Sequence, residues 1–500
     1  MTKNRQHNFI ILVHVIAACM CLHRNEVYAF TPKAPPNRPM RTKESTKRNF
    51  IEEAQNSFVG AFTERRLKDY QRKGIPIASS FIPKTYESHP LFRNQHFQTI
   101  FGVFVRDSPG CAYIEKSNII SEIFPVGKAI IEALPAILGI GEGEEKCDYW
   151  DKRERFETPD GDFFDVDYKF QDPEIGGASG KATVMIIHGL ESNSNSSLCI
   201  NMARAYTERG MDVACVNFRG CSGVPNDTLL QYHAGFTDDL IVFLEKWAER
   251  SNTSPLYVTG FSLGANVVMK LLGDLSIQAV DKYNIRGAAV SGAPFDLNSH
   301  WRQLIDVDFN RIIYAGSLMK SMKNVRVMFS VHLHFTFFQS LSLTLQRPSF
   351  LLEKKVEIIT EKYLDGNKDT DVFDYWKAIN AKNIPEMEDA MIAPLYGFKD
   401  KFDYYDQSAS LPVVDSIAVP TYVLNAADDP FFNPDSFPFE KDCTYENAGA
   451  PIKLSRTEHG GHLGHLFHRV DKESTFDKRV ASFAPMELAR FLDHVHMNLD

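Results

Sequence analysis

Gly260-Phe261-Ser262-Leu263-Gly264 sets a serine between two glycines. An apolar run, Leu256 to Thr259, comes before it, and a segment whose Val267, Val268, Leu271 and Leu272 share one helical face comes after. Strand, tight turn and helix in that order make a nucleophile elbow, a turn so sharp that only glycine fits two positions to either side of the serine. Its chemistry is acyl transfer through a covalent acyl-serine. A hydroxyl is a poor nucleophile until a base takes its proton, and an imidazole does this best with its tautomer fixed by a carboxylate. On an elbow of this kind the chain order is serine, acid, histidine. Both partners follow in that order: Asp428 and Asp429 directly after the run Thr421 to Leu424, then His459-Gly460-Gly461-His462 after Pro451 to Leu454. Residue type and spacing leave open which aspartate and which histidine act. The oxyanion of the transition state needs two donors. The amide of Leu263 can supply one, and that of Leu190, in the turn His188-Gly189-Leu190, the other. His188, at a strand end beside glycine, reads as a loop-holding group rather than a base.

These residues need a scaffold that brings strand ends together. Ala182–Ile187, Val213–Asn217, Leu256–Thr259 and Thr421–Leu424 are continuous apolar runs suited to parallel strands buried on both faces. Helix-length segments alternate with them, such as Leu198 to Arg209, stopped by Gly210. The expected fold is therefore α/β: a mostly parallel central sheet with helices on both faces. The expected divisions are a signal peptide over 1–29, a basic transit-like segment over 30–50, an N-terminal extension over 51–149, a first core segment over 150–297, a helical, aromatic-rich cap over 298–410, and a second core segment over 411–500.

The motifs together resemble the α/β-hydrolase superfamily, and within it AB-hydrolase family four, the embryogenesis-associated-protein-like esterases and acylglycerol lipases. The matching residues are Asn94-Gln-His96-Phe-Gln98-Thr99, His188-Gly-Leu190, Asn217-Phe-Arg219-Gly-Cys221-Ser-Gly223, Tyr232-His233-Ala-Gly235 with Asp238-Asp239, Gly260-Phe-Ser262-Leu-Gly264-Ala-Asn266, Asn425-Ala-Ala-Asp-Asp429-Pro430 and His459-Gly-Gly-His462-Leu-Gly464. The resemblance implies a triad of Ser262, Asp429 and His462. It leaves Asp428 and His459 in support, beside His188, Gly189, Gly260 and Gly264. It also implies a lipid or small-molecule ester substrate with medium or long acyl chains, such as acylglycerols, and no cofactor. His233 and Asp238 fit an H-x-x-x-x-D spacing linked to acyl transfer in such hydrolases, although a helix beginning there makes capping and packing the simpler roles. The alternatives to hydrolysis are acyl transfer to an alcohol and a non-catalytic lipid-binding role.

Composition narrows the partners. The 500 residues are 44% hydrophobic and 24% charged, which excludes disorder and fibrous repeats. Lys and Arg number 55 against 64 Asp and Glu, and the resulting −9 is spread without a basic arm, so nucleic acid is not an expected partner. Eight cysteines in no C-x-x-C or zinc spacing speak against a disulfide scaffold or a metal site. Lys3 and Arg5, the apolar run Phe9 to Leu22 and Val27-Tyr28-Ala29 have the order of a secretory signal peptide. The stretch behind it carries Lys33, Arg38, Arg41, Lys43, Lys47 and Arg48 against the single acid Glu44. Signal followed by transit-like segment resembles the two-part presequence of plastids lying inside the endomembrane system; secretion or retention in the endoplasmic reticulum is the alternative. Peripheral contact with a membrane is compatible with a lipid substrate. Asn195, Asn226 and Asn252 head glycosylation sequons that matter only on that secretory route.

Residues 325–346, VRVMFSVHLHFTFFQSLSLTLQ, keep neither helical nor alternating periodicity. Arg326 is their only Lys, Arg, Asp or Glu, and four Phe, four Leu and three Ser are residues of pyrimidine-rich codons. The segment reads as an intron translated in frame, with Asn324 joined directly to Arg347 in the mature message. Transcript reads across this junction are expected to skip it. Uniform coverage, with peptides from the segment in the purified protein, would make it a genuine lid insertion.

Overall fold

The computed structural model describes residues 49–89, 93–105, 149–172, 182–251, 254–307, 310, 356, 359–432, 449–470 and 478–499. The expected presequence up to residue 48 and the segment 325–346 lie outside these. Two compact units are distinguished, residues 1–64 with 115–141, and 65–114 with 142–500. Of the first, residues 49–64 are described, as the opening turns of helix α1 (Asn49–Ser80).

An eight-stranded sheet organises the second unit, with strands β1 (Lys152–Glu157), β2 (Phe163–Lys169), β3 (Thr183–Ile187), β4 (Asp212–Asn217), β5 (Leu256–Phe261), β6 (Ile285–Ser291), β7 (Thr421–Ala426) and β8 (Ile452–Thr457) in spatial order β1-β2-β4-β3-β5-β6-β7-β8. From β4 to β8 all pairs are parallel, and β2 pairs antiparallel with both β1 and β4. The four expected strands are present, with ends shifted by one or two residues. β1, KRERFE, carries no apolar run because it is an exposed edge. Its Arg153 and Arg155 stand in register opposite Asp167 and Asp165 of β2 and bind them at 2.7 and 2.9 Å.

Alternate side chains of the parallel strands feed two separate cores, as a sheet covered on both faces requires. Met185, Ile187, Val258 and Val423 pack under helices α4 (Asp238–Ser251) and α5 (Leu263–Leu275). Val184, Ile186, Tyr257, Tyr422 and Leu424 pack under α3 (Ser197–Thr207), α9 (Phe483–Met497) and Phe81. Ser196 caps α3 by accepting from the Cys199 amide at 3.3 Å, and Gly210, at φ 77°, turns the chain out beyond it. Among the described residues no helix is long and apolar enough to cross a membrane.

A third cluster forms a cap over the strand ends. It joins α6 (Leu297–Asp306), α7 (Tyr375–Asn380), a π-helical turn at Glu388–Ile392 and α8 (Lys401–Ser408) through Trp301, Leu304, Tyr375, Tyr404 and Tyr405. Asn266 of α5 fixes the cap's base. Its amide donates to the carbonyls of Ala234 and Ser408, both at 2.9 Å, and its Oδ1 accepts from Ser410 N at 2.9 Å.

Arg219, just beyond β4, is 3% exposed and grips two carboxylates: Asp239 at the start of α4, at 2.7 to 3.1 Å, and Asp160 in the β1–β2 turn. Arg219→Met is expected to lose about 3–5 kcal/mol in urea denaturation, because Asp239 stays buried without its countercharge. Arg219→Lys, which lacks the planar fork, is expected to recover little of that loss.

Candidate active site

Register places the elbow. Ile187 at the end of β3 pairs with Gly260 in β5, so the turn His188-Gly189-Leu190 and Ser262 leave the sheet side by side. Strand order reverses between these neighbours, where α/β sheets open a crevice. Ser262 holds φ 53° and ψ −129°, a strained conformation for a residue bearing a Cβ. The constraint comes from Gly264, where any Cβ would collide with the carbonyl oxygens of Ile187 and His188. The Ser262 amide donates to Ser291 O at 2.9 Å, which holds the turn against β6.

Ser262 Oγ stands 2.9 Å from His462 Nε2, and His462 Nδ1 stands 2.9 Å from Asp429 Oδ2. Donation from Oγ–H to Nε2 and from Nδ1–H to the carboxylate makes one continuous chain. Asp429 leaves the end of β7, and its other oxygen accepts from Phe431 N at 2.8 Å. The Phe431 ring lies flat on the His462 imidazole, 4.0 Å between centroids and 12° between planes. Asp428 turns the other way. It accepts from Gly461 N at 2.9 Å and faces His459 Nδ1 at 3.4 Å. The two aspartates and two histidines thus separate into two pairs, one touching Ser262 and one bracing the histidine loop.

Leu190 and Leu263 line one cavity. Leu263 is the first residue of α5, so its amide lacks a partner within the helix and sits at the positive end of the helix dipole. The Glu191 amide, next to Leu190, donates to the Tyr232 hydroxyl at 2.8 Å, which ties down the oxyanion turn. His188 is fully buried. Its Nδ1 donates to Gly189 O at 2.8 Å and its Nε2 accepts from Phe218 N at 3.1 Å. Burial pushes its pKa down to about 4, so the ring is neutral and both nitrogens are occupied in holding the loop. His233 lines the cavity among Tyr396, Phe236 and Tyr404, whereas Asp238 is exposed in the first turn of α4. Of the sequons, Asn226 has its amide buried against Asp162 and Phe163 O at 2.7 Å, which leaves it unavailable to a glycan.

The support of the histidine loop is the part that motif spacing does not reveal. Helix α2 (Gln95–Val105) seats it: Thr99 Oγ1 accepts from His462 N at 2.8 Å, and Gln98 Oε1 accepts from Leu466 N at 2.8 Å. Gly461, at φ 54°, allows the approach, since a Cβ there would lie 2.5 Å from Gln95 O. The short ribbon β9 (Leu466–Val470) with β10 (Lys478–Ser482) follows directly. Residues 65–89 and 93–105, within the expected extension, belong to the same compact unit as the sheet.

The family model for serine aminopeptidase, S33, matches residues 178–344. The putative esterase YheT of Escherichia coli is 28% identical over 323 residues, 64% of this chain and 78% of that protein. The medium-chain fatty acid ethyl ester synthase/esterase 2 of Saccharomyces cerevisiae is 27% identical over 303 residues, 60% of this chain and 61% of its own length. The embryogenesis-associated protein EMB8 of Picea glauca is 22% identical over 393 residues, 77% of this chain and 68% of that one. With its parallel sheet, its elbow after β5 and these relatives, the chain belongs to the α/β-hydrolase superfamily.

Proposed function

We propose that this chain is a serine hydrolase of carboxylic esters, acting through Ser262, His462 and Asp429 on medium- or long-chain acyl esters such as acylglycerols. The observation that carries the reading is the unbroken hydrogen-bond chain from Ser262 Oγ through the imidazole to the Asp429 carboxylate. His462 takes the hydroxyl proton as Ser262 attacks the ester carbonyl, and the resulting imidazolium is stabilised by Asp429. The amides of Leu190 and Leu263 receive the oxyanion. His462 then protonates the departing alcohol, and water, activated by the same imidazole, releases the acid. Support for a lipid-like acyl group comes from the cavity, where Leu229, Met387, Met391, Ile392 and Leu395 supply an apolar lining, and from relatives named esterase and monoacylglycerol lipase. The name of the yeast ethyl ester synthase/esterase favours a second reading, acyl transfer to an alcohol. Product analysis in water–alcohol mixtures separates the two. For the chain's destination we keep the endomembrane route, with the plastid first and secretion second.

The purified protein is expected to react with a fluorophosphonate probe and to hydrolyse an acyl-ester series, and Ser262→Ala to lose both while melting as wild type. Persistent turnover in that variant would sink the mechanism, and binding of esters without turnover in the wild type would favour the non-catalytic reading. His462→Ala and Asp429→Asn are expected to cost on the order of 10³–10⁴ in kcat. His459→Ala and Asp428→Asn act only on the loop and are expected to cost far less; the reverse ranking would exchange the pairs. Thr99→Val, which removes the acceptor for His462 N, is expected to lower kcat about tenfold, the scale of one lost hydrogen bond. Thr99→Ser is expected to restore it.

A further inference from the structure

The cavity lined by Leu190 and by Leu263, the residue after Ser262, contains a group the hydrolytic reading does not use. Glu388 opens the π-helical turn at Glu388–Ile392 and lines the cavity between Met387 and Met391, beside the apolar Ile392 and Leu395. Turns of this kind insert an extra residue into a helix and re-aim a side chain, and they recur at functional sites. Glu388 is 8% exposed. Its Oε2 accepts the Tyr405 hydroxyl at 2.5 Å, and among the described residues this is its hydrogen bond. In the neutral acid, with Oε2 accepting, the proton sits on Oε1, and among the described residues Oε1–H has no acceptor. Oε1 is not among the fully enclosed atoms that lack a partner, so it opens on the cavity, where water or a ligand can match it.

The protonation is consistent with the surroundings. Burial raises the Glu388 pKa to about 8, with the Tyr405 hydroxyl and the Lys401 ammonium opposing the shift. Facing the group are Tyr404 and Tyr405 of α8, both raised well above the usual tyrosine range, and Lys401 at the start of that helix. Glu191 and His233 line the same cavity, and burial holds His233 neutral with its pKa down to about 3. At neutral pH the carboxyl is therefore a neutral donor.

We propose that Glu388 is a specificity determinant, and that the cavity prefers esters carrying a hydroxyl or carbonyl oxygen within the portion enclosed by the cap over esters whose enclosed portion is wholly hydrocarbon. This rests on Ser262 being the nucleophile of an ester hydrolase. The oxygen can belong to an oxygenated acyl chain or to the glycerol of an acylglycerol, and the same chemistry recognises both.

The test measures kcat/KM for methyl esters of a plain acyl chain and of the same chain hydroxylated at successive positions, and for the monoacylglycerol of the plain chain. A hydroxyl optimum among the methyl esters assigns the oxygen to the acyl chain. A preference for the monoacylglycerol alone assigns it to glycerol. In either case the oxygenated-to-plain ratio is expected to fall roughly tenfold in Glu388→Leu, as one hydrogen bond allows, and to survive in Glu388→Gln, which still donates and accepts. In wild type the ratio for a chain bearing a ketone, whose oxygen can only accept, is also expected to decline above about pH 8, where Glu388 ionises, and in Glu388→Gln to stay level. Should Glu388→Leu fail to fold, the pH dependence of these two proteins decides. A wild-type ratio near one for every substrate, or a ratio unmoved in a folded Glu388→Leu, overturns the proposal while plain-ester turnover and probe labelling leave the Ser262 reading standing. Absence of both turnover and labelling overturns the two together.

Discussion

One tight approach governs the chemistry: the backbone of Gly264 lies against the carbonyls of Ile187 and His188, where no side chain fits. Because α5 begins that near to the end of β3, the residue before it must turn through a strained conformation, and that residue is Ser262. Strain of this sort persists only where surroundings over-determine it. Here they do, through the β3–β5 register, the Ser262 amide on Ser291 O, and the Asn266 side chain that fastens the same helix to the base of the cap. The nucleophile, the oxyanion turn and the floor of the cavity are thus consequences of one helix being pressed against one strand.

Holding polar groups inside such a sheet is the second requirement. Asp165, Asp167, Asn217 and Arg219 are all buried near the antiparallel edge, and each has partners: Asp167 receives Arg153, Ser194 and Asn217, and Asn217 in turn receives the Ser194 amide. A buried carboxylate left without such donors is strongly destabilising, so these groups form closed sets. They lie between the β1–β2 hairpin and the start of α4, and fix the loop that carries Tyr232 and His233 into the cavity.

What was legible in the sequence was what is local. The elbow, the apolar strands and the positions of Asp428, Asp429, His459 and His462 follow from spacings of a few residues, which strand and turn geometry converts directly into structure. The choice within each pair was not local. Neighbouring side chains leave a loop in different directions, and only the site of Ser262 and the Phe431 ring determine which partner each meets. Edge strand β1 was hidden because it is charged on both faces, and the functions of Gln98 and Thr99 were hidden because their partners are hundreds of residues away. Glu388 gave no signal at all, since a single glutamate in a helical segment is ordinarily solvated.

That last kind of distance has an evolutionary corollary. Thr99 and His462 are 363 positions apart, yet the segments around them meet backbone to backbone, with Gly461 and Gly464 pressed on Gln95 and Gln98. Neither segment can enlarge a side chain or shift its register unless the other yields. Within this lineage the stretch 94–99 and the loop 459–466 are bound to be inherited as one character, and substitutions in them should be found in correlated pairs even where the chain between them has diverged freely.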